Sequence, residues 1–420
     1  MRRFASLTLA LSLVLAACGF NGTDRDAQEG KTFAKPGVGK AASGAWTADP
    51  MASHDPAGGG TLDPALADDK PRPLMQAQVV LDRFGFAPGV VDGREGLSTT
   101  NAIEGFQKAN ELPVTGKLDE ATKQALGQWS NIPATRVVTI PEAFAAEPFA
   151  PLPDKPQDQA MMPRLGYESL DEKLAERFHT TVAVLKELNP GGVPSGATPS
   201  PGAMPSLTAT PSGSPTPTPS AAPSPGAASG SPSPTPTPTP SFFRAGQQIR
   251  VPNIGADTID PASVDDANWL QTLTSLGVGT SQPKADKIVV DKSEGTLQAF
   301  DAAGKLIAQF TATMGSKHDP LPLGDWKILG VVKNPPFHYN PELFWDASST
   351  DQKAKLPPGP NGPVGVVWID LSKEHYGIHG TPHPETIGRA ESHGCVRLTN
   401  WDVARLAQMV STRTKVSFVA

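Results

Sequence analysis

The chain has 420 residues, more than one hydrophobic core organises, so two to four domains are expected. Only 38% of the residues are hydrophobic while 40 are glycine and 45 proline, which implies long stretches that cannot pack a core. A net charge of −6 gives a nucleic-acid partner no electrostatic support, and beyond the N-terminus no apolar run approaches the ~18 residues a membrane-spanning helix needs.

The N-terminus, MRRFASLTLALSLVLAACGFNG, places Arg2 and Arg3 ahead of an apolar run from Phe4 to Leu15. That pattern reads as a secretory signal over residues 1–17. Leu15-Ala16-Ala17-Cys18 resembles the lipobox of bacterial lipoproteins. The resemblance implies that the Cys18 thiol takes a diacylglycerol and anchors the mature chain to a membrane. Gly19 stands where an inner-membrane retention signal prefers Asp, so the expected location is the cell envelope, in the periplasm at the outer membrane. Residues 18–72 are rich in Gly, Ala, Asp and Pro without apolar periodicity and read as a flexible tether.

Order is expected from residue 73. Leu74, Ala77, Val80, Leu81 and Phe84 recur at helical spacing. A turn at Asp92-Gly93 follows, then a helix over STTNAIEGFQKAN capped by Ser98 or Thr99, with Ala102, Ile103 and Phe106 on one face. A third short helix is led by Asp119. Residues 73–130 thus read as a small all-α bundle. The block resembles the peptidoglycan-binding domain of bacterial wall enzymes at Asp92-Gly93, Gly96, Thr99, Ala102, Phe106-Gln107, Leu112, Gly116, Asp119, Thr122 and Leu126.

Between 164 and 189, Leu170, Leu174, Ala175 and Phe178 fit one helix, and Val182, Leu185 and Leu188 a second. A short strand ending at Pro252 follows in FRAGQQIRVPNI. Joined over 164–254, with Asn189-Pro190 and the Gly-Gln-x-Ile-x-Val-Pro ending, these halves resemble an α+β LysM module, which implies binding of N-acetylglucosamine-containing glycan. Glu168-Ser169 replaces the Gly-Asp usual before the first helix. The insertion at 190–241 holds 16 of the 45 prolines and no charge, and is expected to be a disordered, extended stretch of about 3.1 Å per residue.

From Lys287 the pattern turns to strands: KIVVD, TLQAF and LIAQFTATMG, with turns at Asp291–Gly295 and Asp301–Gly304, then DWKILGVV, GVVWIDL and KVSFVA. WDVARLAQMV is the one convincing helix. A mostly-β C-terminal domain over 286–420 is expected, in a multidomain chain.

With Cys18 committed to lipid, Cys395 has no partner in its own chain, and a leftover thiol in an oxidising compartment is an intermolecular link or a reactive group. A thiolate needs a neighbouring base or positive end. His379, His383, His393 and Arg397 are close in sequence, and Gly380 and Gly394 are expected to leave backbone N–H groups open to a substrate oxyanion. A zinc site from His379, His383, His393 and Cys395 competes, though Gly380, Pro382 and Pro384 oppose the helix that His379-x-x-x-His383 needs. A buried structural cysteine with satisfied histidines is the third arrangement.

IHGT followed by Ser392-His393-Gly394-Cys395-Val396-Arg397-Leu398 resembles the signature of the L,D-transpeptidase (YkuD) catalytic domain, with support from Pro322-Leu323-Gly324, Pro358-Gly359-Pro360-Asn361, Gly365 and Trp368. The resemblance implies a β-sandwich-like fold with its site in a groove beneath a lid. It implies Cys395 as nucleophile, His379 as general base, and Ser392, His393 and Gly394 shaping the site. The Gly394 and Cys395 N–H groups would receive the oxyanion, and Arg397 would pair with a substrate carboxylate. His383 falls outside the motif. The implied donor is a peptidoglycan tetrapeptide stem that loses D-Ala to form a thioester. An amine of a second stem or of a wall-linked lipoprotein then resolves it, with no cofactor or metal. Water in place of the amine gives a hydrolase, and a non-catalytic wall-binding scaffold is the remaining alternative. The thiol is expected to be ionised by His379 and open to an incoming carbonyl.

Overall fold

One β-sheet joins Phe86–Ala87 of the first described unit to Lys415–Val419. A computed structural model describes residues 68, 70–196, 240–255, 259–345 and 347–420. The expected signal with Cys18, nearly all of the expected tether, and residues 197–239 of the Pro/Thr/Ser-rich insertion lie outside the described residues.

The first unit has three helices, α1 (Pro73–Arg83), α2 (Leu97–Ala109) and α3 (Glu120–Gly127). Pro73 opens α1 at a position where a missing N–H costs nothing. Asp119 caps α3 by accepting from the Thr122 amide at 2.9 Å. Helix α2 begins after Gly96 without a side-chain cap, so neither Ser98 nor Thr99 caps it. The Thr99 hydroxyl is engaged with Gln78 and the Arg94 carbonyl instead. Leu81, Ala102, Ile103 and Phe106 form the unit's core, but that core is completed by Phe86 and by Leu306 from the C-terminal sheet. Burying a phenylalanine such as Phe106 contributes roughly 1.5–3 kcal/mol. Phe86–Ala87 (β1) joins the C-terminal sheet as a parallel edge strand, so the unit is not purely helical.

The second unit has its first strand at Thr135–Thr139 (β2), upstream of the expected start at 164. It pairs antiparallel with Gln248–Pro252 (β3). A proline-rich connection carrying two single-turn helices, α4 (Glu142–Ala145) and α5 (Pro156–Gln159), separates β2 from the helices α6 (Leu170–Arg177) and α7 (Val182–Leu188). Those prolines make the stretch read as loop, which hides the strand before it. Ser169 and Thr181 cap α6 and α7 by accepting from Glu172 and Val184 amides. The order is strand, helix, helix, strand, around Leu174, Phe178, Leu185, Leu188, Ile249 and Val251. Asn189 locks the last strand to α7: its Nδ2 donates to the Leu185 and Arg250 carbonyls, and its Oδ1 accepts from the Arg250 amide. The expected insertion boundary at 190 shifts, because Pro190–Gly192 forms a 3-10 turn and Arg250 Nε donates to the Ser195 carbonyl.

Helix α8 (Ala267–Leu276), capped by Asp266 and closed by Gly277 at φ 67°, was not anticipated. It packs Trp269, Leu273 and Leu276 into the main core. The sheet comprises β4 (Lys287–Asp291), β5 (Thr296–Phe300), β6 (Leu306–Thr311), β7 (Thr313–Met314), β8 (Gly324–Lys333), β11 (Val367–Leu371), β12 (Gly377–His379), β13 (Val396–Arg397) and β14 (Lys415–Val419). A separate pair, β9 (Phe337–Tyr339) and β10 (Ala354–Leu356), stands over it. Strand order is β1-β6-β5-β4-β14-β8-β11-β12-β13-β7. Because β6 runs into β7 across Ala312 alone, the two flanks of this order are covalently continuous, and the sheet curls back on itself. Ten-residue β8 serves both halves, pairing with β14 through its start and β11 through its end. Helix α9 (Asn400–Met409), capped by Thr399, fills the curl with Trp401, Val403 and Leu406.

All three units meet at Asp82. Arg405 of α9 grips its carboxylate with both terminal nitrogens at 3.1 and 3.0 Å, and His179 Nδ1 lies 3.1 Å from Oδ1. Every one of these side chains is buried. Burial opposes ionisation of Asp82, but Arg405 and His179 outweigh it and hold the carboxyl well below its ordinary range.

Candidate active site

Strands β12 and β13 lie parallel, with Ile378 opposite Val396 and His379 opposite Arg397. Side chains alternate along a strand, so His379 and Arg397 share a face. Cys395 directly precedes β13 and shares an apolar cluster with Trp368 of β11. The sheet therefore sets His379 beside Arg397 and puts Cys395 at the end of the neighbouring strand. Trp368 on β11 is the cross-strand partner of His379 and stacks on it, with ring centroids 5.6 Å apart and planes at 20°.

His379 is buried. Its Nδ1 lies 2.7 Å from the Gly380 carbonyl, an oxygen that can only accept, so Nδ1 carries the hydrogen and Nε2 keeps its lone pair. Burial, reinforced by the charge of Arg397 and partly opposed by the Gly380 bond, pushes the imidazole down to about 3. At neutral pH the ring is a neutral acceptor, not an imidazolium.

The turn that carries Cys395 is held by Ser392. Its hydroxyl donates to the Cys395 carbonyl at 2.6 Å and accepts from the Gly315 amide at 2.6 Å. Gly394 has φ 96°, and a Cβ there would lie 2.5 Å from the Tyr376 ring, so no other residue fits. His393 meets Phe344 edge-on at 5.0 Å and Trp345 at 5.7 Å, while Trp345 also stacks on His318 at 4.7 Å. Arg397 is half-buried and donates to the Glu391 carbonyl at 3.4 Å.

Two expectations, for the Gly380 N–H and for the thiol, need correction. Gly380 does not offer its N–H to a substrate, because that group donates to the Val364 carbonyl at 3.1 Å. His383 sits at the surface beside Glu385, and among the described residues no three His, Cys, Asp or Glu side chains gather as a metal site would require. The thiol is not open. Cys395 is 1% exposed, its Sγ 3.8 Å from the His375 carbonyl. It lies in an apolar cluster with Leu165, Phe337, Leu356, Val364 and Trp368. Phe337 and Leu356 belong to the β9–β10 pair. Leu165 comes from the preceding unit and lies entirely buried. Its amide donates to the Pro358 carbonyl and its carbonyl accepts from the Asn361 amide, each at 3.1 Å, so the segment docks as a strand-like cover. No local signal in the sequence places Leu165 near Cys395, 230 residues away.

Residues 285–417 match the YkuD family, described as the L,D-transpeptidase catalytic domain, and residues 73–126 match a family described as "Putative peptidoglycan binding domain". The "Putative L,D-transpeptidase in ATP synthase subunits region ORF 5" of Fuscovulum blasticum is 40% identical over 151 residues, 36% of this chain and 75% of that relative. The chain belongs to the L,D-transpeptidase family. The "Putative L,D-transpeptidase YkuD" of Bacillus licheniformis is 55% identical over 60 residues, 14% of this chain. That match spans only 36% of the relative's own length. The solved L,D-transpeptidase from Mycobacterium smegmatis aligns with 32% of this chain and 59% of its own at 19% identity, with a TM-score of 0.27, a likeness too slight to bear on the site. Family membership thus rests on sequence, and the site geometry is this chain's own.

Proposed function

We propose that this chain is an L,D-transpeptidase of the bacterial wall, with Cys395 as nucleophile and His379 as general base. The observation that carries this reading is the His379 tautomer: Nδ1–H is committed to the Gly380 carbonyl, leaving the Nε2 lone pair as the ring's acceptor, and Cys395 shares an apolar cluster with Trp368, which stacks on that ring. In the reaction, Sγ attacks the carbonyl carbon of the third stem residue while Nε2 takes the thiol proton. The C–N bond to D-Ala breaks, and that proton departs on the D-Ala amine. An acceptor amine then attacks the thioester, gives its proton to Nε2, and frees the sulfur. Gly394 and Cys395 amides would hold the oxyanion, Arg397 would meet a substrate carboxylate, and Ser392 and His393 keep the turn in shape. The apolar enclosure around Cys395 favours transfer to an amine over hydrolysis, because it limits water.

Residues 73–126 and the strand–helix–helix–strand unit serve this site as binding modules, the second as a LysM-like glycan binder, raising the local concentration of a polymeric substrate. Cys18 provides lipid attachment in the cell envelope, and a wall-linked lipoprotein is a second acceptor. Mass analysis of muropeptides incubated with the protein and its Cys395→Ala variant tests the reading. Cross-linked dimers that form only with the wild type are expected. Release of monomers alone identifies a hydrolase, and identical spectra for both proteins refute catalysis.

A further inference from the structure

Helix α6 reaches across the unit boundary to the loop before β11 and to the start of α9. Glu172 and Glu176, one turn apart on the same face, each take an asparagine of the C-terminal domain. Glu172 Oε1 accepts from Asn361 Nδ2 at 2.7 Å, and Glu176 Oε1 accepts from Asn400 Nδ2 at 2.9 Å. The same Asn400 nitrogen donates to the Pro360 carbonyl at 3.0 Å, and its Oδ1 accepts from the Val366 amide at 3.2 Å. Asn400 is entirely buried.

The Asn400 carboxamide fills a slot between two glycines. A Cβ on Gly380 would lie 2.3 Å from Asn400 Oδ1, and one on Gly365 would lie 2.0 Å from the same atom. The Gly380 amide is bonded to Val364, and its carbonyl receives His379 Nδ1–H. Gly380, whose carbonyl fixes the imidazole, is therefore tied to the loop through its amide and packed at its Cα against Asn400. Glu176 is 6% exposed, and its second oxygen accepts from the Tyr167 hydroxyl at 2.9 Å. With both oxygens engaged, the carboxyl dictates which way the Asn400 amide faces.

We propose that Glu176 and Asn400 are positioning residues for the catalytic base: Glu176 fixes the Asn400 carboxamide, and Asn400 packs against Gly380, whose carbonyl orients His379. A side chain of the strand–helix–helix–strand unit thus sets the geometry of chemistry performed in another domain. This inference rests on the transpeptidase reading, since it concerns the base assigned there.

The test measures D-Ala release from a disaccharide-tetrapeptide by the full chain, with Cys395→Ala as blank. Glu176→Ala is expected to lower kcat by about tenfold with KM within about twofold, the signature of a disturbed reacting group without lost substrate contact. Glu176→Gln keeps an acceptor oxygen for Asn400 and is expected to recover kcat to within about threefold of the wild type. A Glu176→Ala enzyme with wild-type kcat, or a Glu176→Gln enzyme as slow as Glu176→Ala, overturns the proposal. Should Glu176→Ala not fold, 15N histidine spectra of the wild type and Glu176→Asp, whose shorter side chain withdraws the acceptor from Asn400, decide, with His379→Gln providing the assignment. A proton fixed on Nδ1 of His379 in the wild type and averaged between the two nitrogens in Glu176→Asp supports the proposal, and identical spectra overturn it. Absence of Cys395-dependent D-Ala release from the wild type would refute the transpeptidase reading itself and leave the tautomer measurement standing.

Discussion

Substituting Leu165 by alanine should expose the thiol. Leu165 is entirely buried, in one apolar cluster with Cys395 and with Phe337 and Leu356 of the β9–β10 pair, but it belongs to a segment docked on the C-terminal domain by two backbone hydrogen bonds. Truncating a fully buried leucine costs about 2–5 kcal/mol, and the cost falls on the docked state alone, since the undocked segment already exposes the side chain. Taking ~3 kcal/mol, and a factor of ten per ~1.4 kcal/mol, the undocked population rises roughly a hundredfold. Alkylation of Cys395 by iodoacetamide under native conditions, in a Cys18→Ser background, reads that population directly when docking is fast. Leu273→Ala is the control. It removes an equally buried leucine from the main core, so it should lower the melting temperature while leaving alkylation of the folded protein unchanged. Equal alkylation rates for wild type and Leu165→Ala would show that the segment does not limit access, and the cover argument would fail.

Asp82→Ala should destabilise the chain by about 3–5 kcal/mol in urea unfolding, because it leaves the buried Arg405 guanidinium without its carboxylate, and a loss below about 1 kcal/mol would contradict the buried pairing. Gly380→Ala should slow Cys395 acylation about 10²-fold while the protein still folds, since the new methyl must displace Asn400 from the His379 peptide, and an active variant would count against that contact. Burial, only partly offset by Asn400 and Tyr167, raises the Glu176 carboxyl to about 8. Its contribution to stability is thus fully present below its unfolded value near 4.5 and is lost as pH rises through 8. Denaturant unfolding at pH 5 and 8.5 should show wild type losing on the order of 1–3 kcal/mol more than Glu176→Gln across that interval, and parallel losses would place the titration elsewhere. His379 acts oppositely: held near 3 when folded, it favours the folded state above pH 6.5 and opposes it as pH falls from 6.5 toward 3.

The sequence by itself determined the local elements and the chemical inventory. Alternating strands with Asp-Gly-type turns around β4, β5 and β6, the Asp119 cap and the apolar faces of α6 and α7 are all encoded within a few residues. Gly394 and Cys395 likewise stand in one short motif, and His379 in another shortly before it. Tertiary structure alone decided what surrounds them. Strand β2 pairs with a partner more than a hundred residues away and is hidden by the prolines after it. The two-residue β1 has no pattern of its own and exists because β6 offers an unpaired edge. The cover over the thiol, the grip of Glu176 on Asn400 and the Asp82–Arg405 junction all join residues more than two hundred positions apart. Periodicity reports on neighbours within a turn or a pleat, whereas these contacts depend on which buried polar group finds which partner once whole units dock.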